Sequence, residues 1–261
     1  MTITECPKCG TGYFHGEIVC GRCGTPTVPS EDSRDYETEG QCASISGQLA
    51  EARKLIEVAI HEASDKSEPP LHYVLLVLGI AIRVQLERLE ASLGAEWKHD
   101  LIAWACRNLL ELDLWTQYIL SGPDNATKLF DECLIDETTF FEAWIAYLEV
   151  DTDFSDWPEP DKQTFQSWLC SSLEDARAES QARNLSDRWL SMRGIAKQLG
   201  RTVEFDGANR MYSKLVHQTA FSLLYQYDVR LRLILGAHGR RHAYSIATHL
   251  RKYLDLLLKP Q

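Results

Sequence analysis

The chain has 261 residues, of which 44 % are apolar and 10 % aromatic, enough for one large globular domain or two smaller ones with a real core. Its net charge is −11, and its longest apolar run, residues 73–82, is far shorter than the roughly 20 residues a membrane span needs. The opening Met-Thr-Ile-Thr-Glu-Cys carries neither a basic stretch nor an apolar run, so a soluble, cytoplasmic protein without a secretory leader is expected.

The charge is unevenly spread. Residues 1–200 carry 17 Lys and Arg against 34 Asp and Glu, whereas residues 201–261 carry 10 against 4. Between Lys128 and Lys162 there are eleven acids and no base. A polyanion such as RNA would avoid that stretch and approach only the C-terminal third, while the acidic face could meet a protein partner.

Residues 1–27 are rich in Cys and Gly and have no helical period. Cys6-Pro-Lys-Cys9-Gly and Cys20-Gly-Arg-Cys23-Gly form two CxxC knuckles. Each knuckle turns two thiolates towards one point, and four thiolates in a tetrahedron suit Zn²⁺. The segment is too short to bury a core, so a structural zinc ion would have to supply its folding energy. It resembles the zinc ribbons of many protein families. Cys42, Cys106, Cys133 and Cys170 are scattered and read as buried thiols. Residues 28–40 are acidic, without apolar pattern, and read as a linker.

From residue 41 to 261 the sequence predicts an all-α helical bundle. Helices are expected over 42–66, 70–93, 95–120, 123–150, 160–183, 186–199, 207–226 and 229–258, punctuated by Pro69-Pro70, Ser121-Gly122-Pro123 and Trp157-Pro-Glu-Pro160. Residues 101–115 are apolar nearly all round, as in a central helix. Arg107 and Glu111 sit at i,i+4 within it, in the weaker order for helix support, so the pair either lines a polar cleft or ties helices together.

Arg210 and His217 lie seven positions apart in the next-to-last predicted helix, hence on one face and roughly 10 Å apart along the axis. A histidine can exchange protons near neutral pH, and an arginine can grip a phosphate with two donors. Together they could cut RNA without a metal, His217 serving as acid and base and Arg210 stabilising the phosphate charge. Two such helices meeting in a homodimer would double the groups available. In the last helix, if it is continuous, His238, His242 and His249 fall on about one face beside Arg240 and Arg241, which reads as solvated surface or a basic binding edge and less as a metal site, with Gly236 and Gly239 expected to kink or split it.

From about residue 70 to 225 the chain resembles a bacterial helical family described as domain of unknown function 5677. The matching pieces are Arg107-Asn-Leu-Leu-Glu111, Trp189 through Ile195-Ala-Lys-Gln-Leu-Gly200, and Tyr212-Ser-Lys-Leu-Val-His217. More loosely, Arg210, six residues and His217 are similar to the Arg-x(4–6)-His signature of the HEPN superfamily, although the residue after the arginine, commonly polar there, is Met211. That resemblance implies a helical, often dimeric, metal-independent endoribonuclease of the kind found in toxin–antitoxin and anti-phage systems. Arg107, Glu111 and Tyr212 would support the catalytic pair. The competing expectation is a non-enzymatic module in which the ribbon and the acidic face dock protein partners. No phosphate-binding P-loop, dinucleotide glycine motif or nucleophile-elbow motif occurs, which disfavours NTPases, dinucleotide enzymes and α/β-hydrolases.

Overall fold

The computed structural model describes residues 3–5, 12–14, 36–94, 99–122, 124–150, 156–185, 190–217 and 229–258. Near the N-terminus β1 (Ile3–Glu5) pairs antiparallel with β2 (Gly12–Phe14), Ile3 opposite Phe14 and Glu5 opposite Gly12. Cys6, Cys9, Cys20 and Cys23 lie outside the described residues. Everything else described is helical or connecting: α1 (Tyr36–Asp65), α2 (Leu71–Leu93), α3 (His99–Leu120), α4 (Asn125–Leu148), α5 (Glu159–Ala182), α6 (Met192–Gln198), α7 (Thr202–Val216) and α8 (Val229–Leu257). The expected all-α bundle is the fold observed. Its first helix starts at Tyr36, inside the stretch 28–40 that reads as linker.

The bundle is built on α1, α2, α3 and α8, arranged in a ring so that each packs against two neighbours, with little contact across the α2–α8 diagonal. The sequence imposes this through apolar residues at alternating steps of three and four. On α1 these are Ile45, Leu49, Ala52, Ile56 and Ala63, and on α2 Leu75, Leu78, Ile82, Leu86, Leu89 and Leu93, all buried. Such a stripe holds one side of each helix against the core. Each fully buried Leu or Ile contributes roughly 1.5–3 kcal/mol by leaving water.

On α3 the stripe runs Ile102, Cys106, Leu109, Asp113, Thr116, and on α8 Leu235, Gly239, His242, Ile246, Leu250. Three of these seam positions are therefore polar, Asp113 and Thr116 on α3 and His242 on α8, and all are buried; Asp113 and His242 are the ionisable ones.

The expected split of α8 does not occur. The helix is unbroken from Val229 to Leu257. Its glycines serve close packing: a Cβ on Gly236 would stand 2.9 Å from Leu93 Cδ2, and one on Gly239 would run into the Leu89 side chain and lie 3.1 Å from Cys106 Sγ. Cys106 completes that contact by donating from Sγ to the Leu235 carbonyl at 3.1 Å.

Two outworks flank the ring. The α4–α5 hairpin packs mainly on itself and touches α2 and α3 lightly. Short α6 and longer α7 lie on α3. Ser191 caps α6, its hydroxyl accepting from the Gly194 N–H at 3.1 Å. Gly200, with φ +69°, makes the left-handed turn that releases the chain into α7. No described helix is long and apolar enough to cross a membrane.

Candidate functional site

Where α3, α7 and α8 meet, a cleft of about 210 Å³ opens, lined by polar side chains throughout. Asp113 and Gln117 come from α3, Arg201 and Glu204 from the first turn of α7 and the residue before it, and Arg241, His242, Ser245 and His249 from α8. The helical period explains the α8 set, because positions 242, 245 and 249 repeat at three and four and so fall on one side.

Arg201 organises the floor. Its Nη2 donates to Asp113 Oδ2 at 2.8 Å, its Nε to Glu204 Oε2 at 2.9 Å, and its Nη1 to Gln117 Oε1 at 3.3 Å. Asp113 is wholly buried and Arg201 only 16 % exposed, so this pair operates where charges are weakly screened. Burial by itself would push the Asp113 carboxyl up. The nearby His242 and Ser245 and the hydrogen bond and charge of Arg201 outweigh it, holding Asp113 below the usual carboxylate range. Glu204 is also held low, first by the hydrogen bond from Arg201. Arg201 is held firmly protonated, because Glu204 and Asp113 override its desolvation.

Behind this floor lies a chain of polar contacts. His242 Nδ1 faces Asp113 Oδ2 at 3.7 Å, longer than a hydrogen bond. Its Nε2 lies 3.4 Å from Tyr212 Oη, which is also 3.3 Å from His238 Nδ1. A phenol has one proton, so it donates to one imidazole and accepts from the other. Burial pushes the Tyr212 hydroxyl well above its ordinary value, with Cys106 and Glu204 adding to it, so it stays a neutral phenol. Burial also lowers His238, helped by His242 and Arg241, and lowers His249, helped by Arg201 and Lys252 against the pull of Asp113.

Of the residues singled out from sequence, Tyr212 joins this assembly, buried directly beneath the cleft. Arg107 and Glu111 form an ion pair at 3.3 Å with each side chain about one-third exposed. At about 100° per residue they fall roughly 120–160° round α3 from Asp113, so they lie away from the cleft. Arg210 and His217 are both exposed. The helix that carries Arg210 spans Thr202–Val216, shorter at its end than the expected 207–226, and His217 caps it with φ −88° and ψ 145°. That near-helical φ keeps the His217 Cα–Cβ bond on the helical path, while ψ turns the chain away after it. Arg210 and His217 thus share the outer side of α7, about 140–160° round from Tyr212. Neither lines the cleft.

Asp113, Arg201 and Glu204 are the residues that sequence reasoning missed. One signal for Asp113 was available: an acid occupying a seam position, four residues after Leu109 and seven after Cys106, in an otherwise apolar helix. Among the described residues no group of three or more His, Cys, Asp or Glu is arranged to hold a metal ion. Comparisons with protein-family models, curated proteins and solved structures return no match to this chain.

Proposed function

We propose that the protein is a metal-independent endoribonuclease whose catalytic edge is the outer side of α7. His217 would exchange the proton of the ribose 2′-hydroxyl, and Arg210 would hold and neutralise the scissile phosphate. The observation that carries this reading is the common exposed side of Arg210 and His217, two turns apart at the end of one helix. An exposed catalytic edge is accessible to RNA and suits completion by the same helix of a second copy, in keeping with the HEPN-like spacing. The surplus of Lys and Arg in residues 201–261 supplies the attraction for a polyanion. Tyr212 then acts from the inner side of α7 as a packing and hydrogen-bonding anchor. Arg107 and Glu111 stiffen the outer side of α3. At the N-terminus, Cys6, Cys9, Cys20 and Cys23 would hold one Zn²⁺ as a structural ribbon.

The test is cleavage of single-stranded RNA by the purified chain without added divalent metal. His217→Ala should lower the rate by about 10²–10⁴, the range for a lost acid–base group. Equal cleavage by parent and His217→Ala would remove the catalytic assignment.

A second reading, a non-enzymatic interaction module, has its own observation. The α4–α5 hairpin presents Phe140, Trp144, Tyr147, Trp157 and Trp168 to solvent, the first four within the acidic stretch, an unusual amount of exposed aromatic surface. A partner whose binding survives His217→Ala and fails in a Trp144→Ala, Trp168→Ala double variant would favour it.

A further inference from the structure

We infer that the α3–α7–α8 cleft is an oxyanion site that takes a phosphate monoester, with Arg241 as its main ligand and His249 and Ser245 beside it. This goes beyond the ribonuclease reading and does not depend on it, because the cleft and the Arg210–His217 edge lie on different sides of α7.

The two guanidiniums have different roles. All three nitrogens of Arg201 are engaged by Asp113, Glu204 and Gln117, so it shapes the floor. Arg241 is 68 % exposed, and its Nη2 meets Glu204 Oε1 at 3.2 Å without the alignment of a hydrogen bond, so that carboxylate oxygen has no hydrogen-bond partner. Arg241 is therefore held by charge alone. Its planar fork can turn to a bidentate oxyanion at little cost.

The formal charges of Arg201, Arg241, Asp113 and Glu204 cancel, but their accessibility does not. Asp113 is fully buried, whereas Arg241 is the most exposed of the four. The cleft also adjoins the N-terminus of the 15-residue α7, where the helix dipole favours negative charge. Glu204 is the one carboxylate at the rim, and an incoming anion would compete with it for Arg241. An independent sign that the site is built for more than packing is its unsatisfied interior. Asp113 Oδ1 and His242 Nδ1 are buried without hydrogen-bond partners, on residues 0 % and 3 % exposed. Such atoms are costly in a finished core. The 210 Å³ of space accommodates a phosphate with an attached sugar, and the polar lining disfavours an apolar ligand.

Calorimetric titration of the full chain with inorganic phosphate, with 5′-AMP, and with one oligoribonucleotide carrying either a 5′-phosphate or a 5′-hydroxyl tests the inference. Arg241→Ala, at an exposed position, should weaken phosphate-dependent binding about tenfold or more, and Glu204→Gln should strengthen it by releasing Arg241. His217→Ala should leave it unchanged while abolishing any RNA cleavage, which separates the two sites. Equal binding of phosphate and AMP supports the site with a free ion as ligand. Preference for AMP or for the 5′-phosphorylated oligonucleotide, lost in Arg241→Ala, supports it with a nucleotide end as ligand. No binding of any probe at millimolar concentration, or binding indifferent to Arg241→Ala, overturns it.

Discussion

Arg201 Nη2 lies 2.8 Å from Asp113 Oδ2, joining the start of α7 to the middle of α3 across 88 positions of sequence, with the carboxylate sealed from water. Removing the carboxylate leaves Arg201 with Glu204 and Gln117 only, and breaking a buried pair typically costs about 3–5 kcal/mol. We therefore expect Asp113→Ala to lower the urea-unfolding free energy by about that amount. The double change Asp113→Leu, Arg201→Met should recover much of the loss, since apolar replacements of buried ion pairs are often neutral. Urea titration of the three variants checks this, and a double variant no better than Asp113→Ala would show that the pair acts as more than charge compensation.

The same cleft makes stability depend on pH in a definite order. His238 and His249 are held below the ordinary histidine value in the folded chain, by burial first. The unfolded chain takes up protons at these positions near pH 6.5, before the folded chain does. Stability should thus be complete above that value and fall as the pH drops through it towards the folded values. Asp113 and Glu204 are also depressed, so their stabilisation is present above the unfolded value of about 4 and is lost at lower pH. Two successive losses are expected in unfolding free energy measured from pH 8 to pH 3. His238→Gln with His249→Gln should flatten the first and leave the second.

The ring of α1, α2, α3 and α8 was legible because its stripes repeat at three and four and because prolines and glycines separate them. The cleft was not, for a physical reason. Asp113 sits in a stripe that otherwise signals burial, while its partner Arg201 follows a glycine turn far along the chain. No local pattern joins a seam acid to a residue 88 positions away. Arg107 and Glu111 drew attention because their spacing is local, yet that spacing is what lets them pair within α3 and remain about one-third exposed. The histidines of α8 fell between these cases. Their common side follows from the period, but neither the burial of His242 beside Asp113 and Tyr212 nor the close approach of Leu93 and Leu89 to Gly236 and Gly239 does.

Those glycines give a paired expectation. Gly239→Ala would force its methyl into Leu89 and against Cys106, and overpacking of this kind costs about 1–3 kcal/mol. Gly47 lies inside α1 with nothing within 4 Å of an added Cβ. There alanine should stabilise by up to about 1 kcal/mol through helix propensity. Thermal melting of both variants should move in opposite directions, and a shared direction would mean that Gly239 does not meet Leu89 and Cys106 as described.

If the four N-terminal cysteines bind zinc, the effect should be local. Among the described residues the clustered apolar core runs from Ile45 to Leu254, and a ribbon at residues 1–27 would take its folding energy from the metal. One zinc per chain is expected by elemental analysis, falling on Cys9→Ser. The helical circular dichroism and the main melting transition should stay within error of the parent. A collapse of the bundle on zinc removal would show the two parts to be energetically joined.

Tyr212 gives the sharpest test of the buried polar chain. It is fully buried, and its hydroxyl serves two imidazoles at once, His238 at 3.3 Å and His242 at 3.4 Å. Tyr212→Phe keeps the ring and its packing but removes both contacts. One or two buried ring nitrogens then lose their partner, and each unsatisfied group costs about 1–3 kcal/mol. The loss should show in the pH behaviour as well as in stability. His238, freed from the phenol, becomes the group whose titration moves most, whereas His249, three turns further along α8, should titrate as before. Histidine NMR titrations of parent and variant distinguish this from simple loosening of the core. General disorder would shift both rings alike, and a variant as stable as the parent with unchanged His238 would mean that the phenol contributes packing alone.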